Sequence, residues 1–451
     1  MPKVPPLFKH QKRTVKFLEN NDRVFDMSDP GTGKTRAHIE GYARRSKKSK
    51  GAALVLAPKS ILQPAWGNDI ERYAGDMKYV IATADVRKDA FDEQSDFYIT
   101  NIDAAVWLAA QKPDFFKRFS HLIIDESTTI KHHTSQRSKA IAKIKKYFPV
   151  RRLLSGSPNP NGMCDLWHQT LVLDDGKRLG TSFYAFRAAV CTPTQIGPMP
   201  NHVKWEDRPG SELAVMGLMK DITIRHVLEE CIDMPPNHEY SMEYILSSKH
   251  QAYYNKLEAD SILQIRDQKI TAVNGAVLYN KLLQAASGAV YDENGKYVIL
   301  DTGRYELIAD LVAQRPHSIV FFNWEHQRDL LSKEFDDRGI TFAVIDGKTS
   351  SKERTQIVEF YQAGFYRVVL LHPQSAAHGL TFTKATTTIW TSPTPNLEHF
   401  VQGNRRAYRA GQTLRTESIV IVAKNTIDVK VYGALQGKNM NMNALLIELA
   451  A

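Results

Sequence analysis

Near the start of the chain, Ser28-Asp-Pro-Gly-Thr-Gly-Lys-Thr35 follows the apolar pair Val24-Phe25 and precedes a helix-like stretch from about Arg36. A strand that turns through closely spaced glycines into a helix predicts a phosphate-binding loop, because the turn and the helix N-terminus aim backbone N–H groups at one anion. Gly31 and Gly33, with Thr32 between them, let the backbone close around phosphate oxygens. Lys34 neutralises β/γ charge and the Thr35 hydroxyl is placed to ligate magnesium. Ser28 stands where the full pattern has glycine. A glycine-rich turn followed by Lys-Thr also arises by chance, so a second element matters. Leu122-Ile-Ile-Asp-Glu126 is an apolar strand that ends in two acids. At the carboxyl edge of a parallel sheet, Asp125 would hold magnesium through water and Glu126 would orient or deprotonate the attacking water.

The surrounding pattern is that of an α/β protein. The runs Ala52–Ala57, Phe97–Thr100, His121–Ile124 and Arg152–Leu154 are apolar with almost no alternation, as expected of strands covered by helices on both faces of a parallel sheet. Lys139–Tyr147 reads as an amphipathic helix between two of them. After Asp301 a second block repeats the pattern, with strands expected at Ser318–Phe322, Thr341–Ile345, Tyr366–Leu371, Thr387–Trp390 and Ser418–Val422. Between the blocks, from about Asp174 to Leu300, breaks cluster at Pro193, Pro198, Pro200, Pro209 and Gly210, and Tyr253–Ala286 has mostly helical spacing. The expected division is residues 1–230, a helical insertion or linker at 231–300, and 301–451.

A length of 451 residues agrees with two or three domains at roughly 100–200 residues each. Fifty-nine Lys and Arg against 49 Asp and Glu give a net charge of +10, so the surface should attract polyanions, nucleic acid first among them. Three cysteines, Cys164, Cys191 and Cys231, form no C-x-x-C pair and indicate neither a disulfide framework nor a cysteine-rich zinc site. No apolar run approaches the ~20 residues of a membrane helix. The proline pair and lysine of the N-terminal segment break any signal-peptide core. The expected location is the cytoplasm, that of a bacterial host cell if the chain is phage-encoded, with no membrane partner.

In this order the motifs resemble the Swi/Snf-like branch of helicase superfamily two, double-stranded-DNA translocases with paired RecA-like lobes. The resemblance spans most of the chain and implies two tandem RecA-like lobes, each a parallel sheet flanked by helices, with ATP and Mg2+ as cofactors. Leu7-Phe-Lys-His-Gln11 is similar to the family's glutamine motif, which makes Gln11 the implied adenine contact. Leu54-Val-Leu-Ala-Pro-Lys-Ser60 with Trp66, and Tyr98-Ile-Thr-Asn101, are similar to DNA-facing blocks. From these and the second block the implied DNA track is Lys59, Ser60, Trp66, Thr100, Asn101, Asn323, Trp324 and Thr381. Leu154-Ser-Gly-Ser-Pro158, followed by Asn161 and Asp165-Leu-Trp167, resembles the block that couples hydrolysis to movement. Ser155 and Ser157 stand there where threonines are usual.

In the second block, Ile345-Asp-Gly-Lys-Thr349 with Arg354 and Phe360, and Ser375-Ala-Ala-His-Gly-Leu-Thr381, resemble further signatures, with His378 a departure that also reads as an ordinary loop histidine. Gln402-Gly-Asn-Arg-Arg-Ala-Tyr-Arg-Ala-Gly-Gln412 is the most specific match. Its spacing puts Arg406 and Arg409 one helical turn apart. The resemblance makes them arginine fingers, which stabilise the γ-phosphate in the transition state when the lobes close, and Gln402 a coupling residue. Ile222-Thr-Ile-Arg225 with Met234-Pro-Pro236, and Lys281–Ser287, are weaker matches at the end of the first lobe and before the second.

The expected activity is therefore DNA-dependent ATP hydrolysis that drives a motor on double-stranded or branched DNA, in branch migration or remodelling of replication or recombination intermediates. The chain is compact for such a family and is similar to short bacteriophage or bacterial versions. Two alternatives stay open: a transcription-linked motor that displaces or recycles RNA polymerase, and a nucleotide-switched DNA-binding module. A protein partner from the replication, recombination or transcription machinery is compatible with the first two.

Overall fold

The computed structural model describes residues 5–47, 50–195, 203–231, 235–267, 272–376, 380–409 and 411–450. It divides into two units, Met1–Asp233 with Lys438–Ala451, and Met234–Gly437. The first unit begins with a helix, α1 (Lys9–Asn20), and the glycine-rich loop from Ser28 runs into α2 (Lys34–Ser46). Its strands are β1 (Arg23–Asp26), β2 (Ala52–Ala57), β3 (Tyr79–Ile81), β4 (Phe97–Asn101), β5 (Phe119–Asp125), β6 (Val150–Leu154), the hairpin β7 (Cys191–Gln195) and β8 (Val203–Asp207), and β9 (Thr223–Ile224). Apart from the antiparallel hairpin they form one sheet in the order β3-β4-β2-β5-β6-β1-β9, parallel at every pairing.

The uniform apolarity of the central strands follows from their position. All six residues of β2 and all seven of β5 are buried. Leu54, Val55, Leu122 and Ile123 are fully buried, and burial of each such side chain contributes about 1.5–3 kcal/mol. On one face, Val55, Ile99 and Ile123 pack with Ile39 and Tyr42 of α2 and with Trp66 and Ile70.

The second unit contains β10 (Asn237–Tyr244), the antiparallel hairpin β11 (Ala289–Tyr291) and β12 (Tyr297–Ile299), then β13 (Ser318–Phe321), β14 (Phe342–Ile345), β15 (Val368–Leu371), β16 (Thr387–Trp390) and β17 (Thr416–Ala423). Its parallel sheet has the order β10-β17-β16-β13-β15-β14. Both sheets, flanked by helices, give the two RecA-like lobes of an α/β fold.

The segment expected as a separate helical insertion differs from that reading. Two long helices are present, Ser248–Asp267 and Ala272–Ala286, but residues 237–300 belong to the second unit. β10 pairs along its whole length with β17. As an edge strand it has no fully buried residue, so it lacks the apolar run by which the interior strands were recognised. Pro198, Pro200 and Met234 lie outside the described residues. Among the described residues no helix is long and apolar enough to cross a membrane.

A buried ion pair ties together the second unit. Arg304, 2% exposed, donates to Asp428 Oδ2 at 2.8 Å, to the Ala286 carbonyl at 2.8 Å and to the Thr391 carbonyl at 2.9 Å. Asp428, fully buried, also accepts from the Ala423 amide at 3.1 Å. One cation thus joins the starts of two helices, the end of a third and the exit of β16. Removal of one partner leaves the other charge stranded without water. Asp428→Ala should therefore destabilise the protein by about 3–5 kcal/mol in urea unfolding, and a loss below about 1 kcal/mol, the level of an exposed pair, would contradict this account.

Candidate nucleotide site

Sheet register assembles the site. Asp26 on β1 is paired with Leu154 on β6, Leu154 with Asp125 on β5, and Asp26 also with Ile224 on β9. Ala57 on β2 is opposite Asn101 on β4. The phosphate-binding loop, the Ser155-Gly-Ser turn, the acidic pair and the Arg225 segment therefore leave the sheet from one row at its carboxyl edge, where ligands of open α/β sheets bind.

The loop itself is tightly held. Gly31 and Gly33 have φ of 92° and 75°, the left-handed region that a side chain resists. A Cβ on Gly33 would run into the Gln11 amide, so glycine is what lets Gln11 pack against the loop. Lys34 Nζ donates to the carbonyls of Ser28 at 2.6 Å and Asp29 at 3.1 Å. Thr32, 3% exposed, donates its hydroxyl to the Asp29 carbonyl at 2.8 Å, while its own carbonyl is 2.8 Å from His10 Nε2. Thr35 is half-buried in the first turn of α2. Gln11, 3% exposed, accepts from the Phe8 amide and donates to the Gly33 carbonyl at 3.3 Å. Its amide thus joins the α1 cap to the loop.

Behind the loop lies a pair that sequence reasoning missed. Asp26 Oδ1 accepts from the Ser28 amide at 3.0 Å and Oδ2 is 3.1 Å from His38 Nε2. Burial alone would raise the Asp26 carboxyl, yet the hydrogen bond and charge of His38, with Lys34 nearby, bring it down to about 2. Burial lowers the His38 pKa, opposed by the hydrogen bond and charge of Asp26, and the Asp26 carboxylate accepts from Nε2. A lone aspartate and histidine in an apolar stretch give no spacing signal for this contact.

The acidic pair is held from two sides. Asp125, 8% exposed, accepts from the Trp66 indole at Oδ2 (2.9 Å) and from the Glu126 amide at Oδ1 (3.0 Å). Burial raises its pKa against the opposing effects of the Trp66 bond and Lys34. Glu126 has φ of 52°, a left-handed conformation that costs a non-glycine residue about 1–3 kcal/mol. Its carbonyl accepts from the Thr129 amide at 3.0 Å and hydroxyl at 2.9 Å. That turn ends the strand and leaves the Glu126 side chain half-buried beside the buried Asp125.

Next to it, Ser127 donates to Gln169 Oε1 at 2.6 Å and Gln169 donates to the Pro158 carbonyl at 2.7 Å. The acid strand is thereby joined to the Ser155-Gly-Ser turn through a glutamine the sequence did not mark. In that turn Ser155 Oγ accepts from the Ser157 amide at 3.2 Å, both serines are buried, and a Cβ on Gly156 would lie 2.6 Å from Pro30 of the loop.

Two residues read as DNA contacts are interior. Trp66 is fully buried and bonded to Asp125. Thr100 is fully buried and donates to the Ala82 carbonyl at 2.6 Å. Neither offers a surface to DNA, because an indole and a hydroxyl inside an α/β layer satisfy the core's own polar groups. Lys59 is exposed, and Ser60 and Asn101 are half-buried at the strand ends.

In the second unit the helix expected to carry both arginines ends at Asn404, and Arg406 and Arg409 lie in the turns beyond it. They still converge: Arg406 Nη1 and Arg409 Nη1 each donate to the Leu380 carbonyl at 3.2 Å, and Arg409 also donates to Thr381 Oγ1 at 2.8 Å. Gln402, 3% exposed, donates to Glu398 at 3.4 Å. Asn323 donates to Ser392 Oγ at 3.1 Å and Trp324 stacks on His326 at 5.8 Å. His378 lies outside the described residues.

The SNF2-related domain matches residues 10–287 and the helicase conserved C-terminal domain residues 303–411. A putative protein p41 of Acyrthosiphon pisum secondary endosymbiont phage 1 is 26% identical over 92% of this chain and 92% of its own length. The chain is 25% identical to an uncharacterized ATP-dependent helicase of Mycoplasma genitalium (98% of this chain, 42% of that protein) and 25% identical to the human DNA annealing helicase and endonuclease ZRANB3 (96% and 40%). It thus spans nearly all of the phage protein and under half of the other two. A Sulfolobus solfataricus SWI2/SNF2 ATPase core in complex with dsDNA aligns over 98% of this chain and 93% of that chain, at 19% identity and a TM-score of 0.47. With a glycine-rich Lys-Thr loop and an acidic pair at one sheet edge, and with both domains matched in order, the chain belongs to the SNF2-related family of helicase-like ATPases.

Proposed function

We propose that this ATPase is a motor that moves along double-stranded or branched DNA and remodels replication or recombination intermediates, including by branch migration. The observation that carries the reading is the placement of Lys34, Asp125 and Glu126 at one carboxyl edge in a chain whose second unit presents Arg406 and Arg409 together. A switch that only binds nucleotide has no need of a strained glutamate and two convergent arginines. The net charge of +10 favours a polyanionic track, and the relatives named as helicases act in the same sense.

In this mechanism the loop amides and Lys34 hold the β- and γ-phosphates, and Gln11, bridging the cap of α1 and the loop, borders the base. Thr35 and Asp125 are hard oxygen donors that suit magnesium, with Asp125 already oriented by Trp66. When bound, that ion would neutralise charge on the β- and γ-phosphates. Glu126 orients the attacking water. Arg406 and Arg409 are assigned, from the family resemblance, to transition-state charge on the γ-phosphate. The Ser127–Gln169–Pro158 chain of bonds gives the acid strand a direct path to Ser155 and Ser157. Lys59, Ser60, Asn101, Asn323, Trp324 and Thr381 form the proposed DNA track, read through phosphates and therefore indifferent to base sequence.

Lys34→Ala, Glu126→Gln and Arg406→Ala should each abolish DNA-stimulated ATP hydrolysis while much of the DNA binding persists; retained turnover in Glu126→Gln removes its catalytic role. ATPase rates on single-stranded, duplex, forked and four-way-junction DNA, measured side by side, should be highest on duplex or branched forms, and equal rates on all four would refute the assigned substrate. Binding should weaken steeply with salt, and loss of one phosphate contact in Lys59→Ala should reduce the log–log salt slope by about 0.9. Trp66→Phe removes one of the two bonds that orient Asp125 and should weaken the apparent magnesium affinity of the ATPase about 10- to 100-fold; an unaltered magnesium dependence would remove Asp125 from the metal site.

A further inference from the structure

A buried arginine far from the loop in sequence is built into its backbone. We infer that Arg225 is a positioning residue for the phosphate-binding loop, and that the segment Thr223–Leu228 responds to the nucleotide held there. The inference rests on the reading of the loop as the ATP site and goes beyond it by assigning a role to the strand that leaves the first unit.

The contacts are directional and continuous. The Met27 amide donates to the Ile224 carbonyl at 2.9 Å and the Asp29 amide to the His226 carbonyl at 3.0 Å. In return the His226 amide donates to Ser28 Oγ at 3.1 Å and the Leu228 amide to Asp29 Oδ2 at 3.1 Å. Arg225 Nη1 donates to the Met27 carbonyl at 3.0 Å, and Nη2 is 3.2 Å from Asp29 Oδ1. Arg225 and Asp29 are 8% and 7% exposed, so their attraction is little screened by water or salt.

Asp29 is the link to the nucleotide. Its side chain is held by Arg225 and Leu228, while its carbonyl and that of Ser28 accept from Lys34 Nζ. A lysine that turns toward phosphate must loosen those two carbonyls. The residues it releases are the same two whose amide and hydroxyl bond to the exit segment. Downstream of that segment the chain passes, between Asp233 and Met234, into the second unit. A simple structural tie would hold the loop equally in every state; a responsive one changes its protection when phosphate arrives.

The test uses the full chain, with titration of a fluorescent ADP analogue, steady-state ATP hydrolysis and hydrogen exchange. Loss of one charge-assisted bond in Arg225→Gln or Asp29→Asn should raise the nucleotide Kd and the KM for ATP roughly tenfold. The kcat of Arg225→Gln at saturating ATP should stay within about twofold, as for a lost positioning contact rather than a lost catalytic group. The effect of the double variant should be well below the product of the two single effects, because the Arg225–Asp29 pair is lost in both. Arg225→Lys, which keeps the charge but not the forked pair of bonds, should recover part of the loss. In the wild type, bound nucleotide should change exchange at the His226 and Leu228 amides, and Asp29→Asn should abolish that change.

Arg151→Gln breaks a buried arginine on β6 that bonds to Asp175 and the Val172 carbonyl, away from the loop. It reports the effect of lost stability alone and should leave KM unaltered. Unchanged KM in both single variants, fully multiplicative effects in the double one, or exchange at 226 and 228 that ignores nucleotide would each overturn the inference. Lys34→Ala keeps the two readings apart: wild-type binding that disappears in this variant upholds the loop as the nucleotide site whatever the Arg225 variants do.

Discussion

Parallel register is the constraint on which this molecule's chemistry depends. In the first unit Ile224, Asp26, Leu154 and Asp125 form one row across four adjacent strands. Beyond this row the four strands end and their chains turn outward at the same edge. Segments nearly the whole unit apart in sequence thereby become neighbours, and the polar groups freed from the ladder face one another instead of water. An antiparallel arrangement would send alternate strand ends to opposite edges and split the same residues into two half-sites.

Burial then decides what these groups do. Few of the charges around the loop face open water. Asp26 is held by His38, Asp29 is paired with Arg225, and Asp125 is flanked by the Trp66 indole with its pKa raised by burial. In a low-dielectric environment such charges keep their strength, and each is satisfied by a donor in fixed geometry. The loop is thus a pre-arranged set of donors whose positions are held by residues on β1 and α1 and by the segment that follows β9. The left-handed Glu126 belongs to the same arrangement, with its strain offset by the Asp125 and Thr129 bonds.

The second unit uses similar means on another sheet. Arg304 and Asp428 fix helix ends around β16 and β17, and Arg406 and Arg409 meet at one carbonyl. Convergence of two guanidinium groups on Leu380 sets their direction without a helix beneath them. The segment after Asn404 can therefore carry its arginines in turns, where spacing by one helical turn is not the organising rule.

The glycine turn between β1 and α2, the acid-tipped strand, both α/β blocks and the buried central strands are legible in the amino-acid sequence, because each depends on local pattern: glycines at a turn, an unbroken apolar run, adjacent carboxylates. β10 is not legible, since an edge strand with one face in solvent has no such run, and residues 231–300 read as an insertion or linker for that reason. Trp66, an aromatic of the kind more often found in a core, and Thr100 read as candidate DNA contacts because a motif names a residue without stating which way its side chain faces. His38, Gln169 and the role of Arg225 required the folded chain, because their partners lie on different elements and only register and burial bring them within bonding distance. Sequence by itself determined which chemistry the chain could carry; tertiary structure decided which side chains orient it, since orientation comes from long-range contacts that leave no local periodicity.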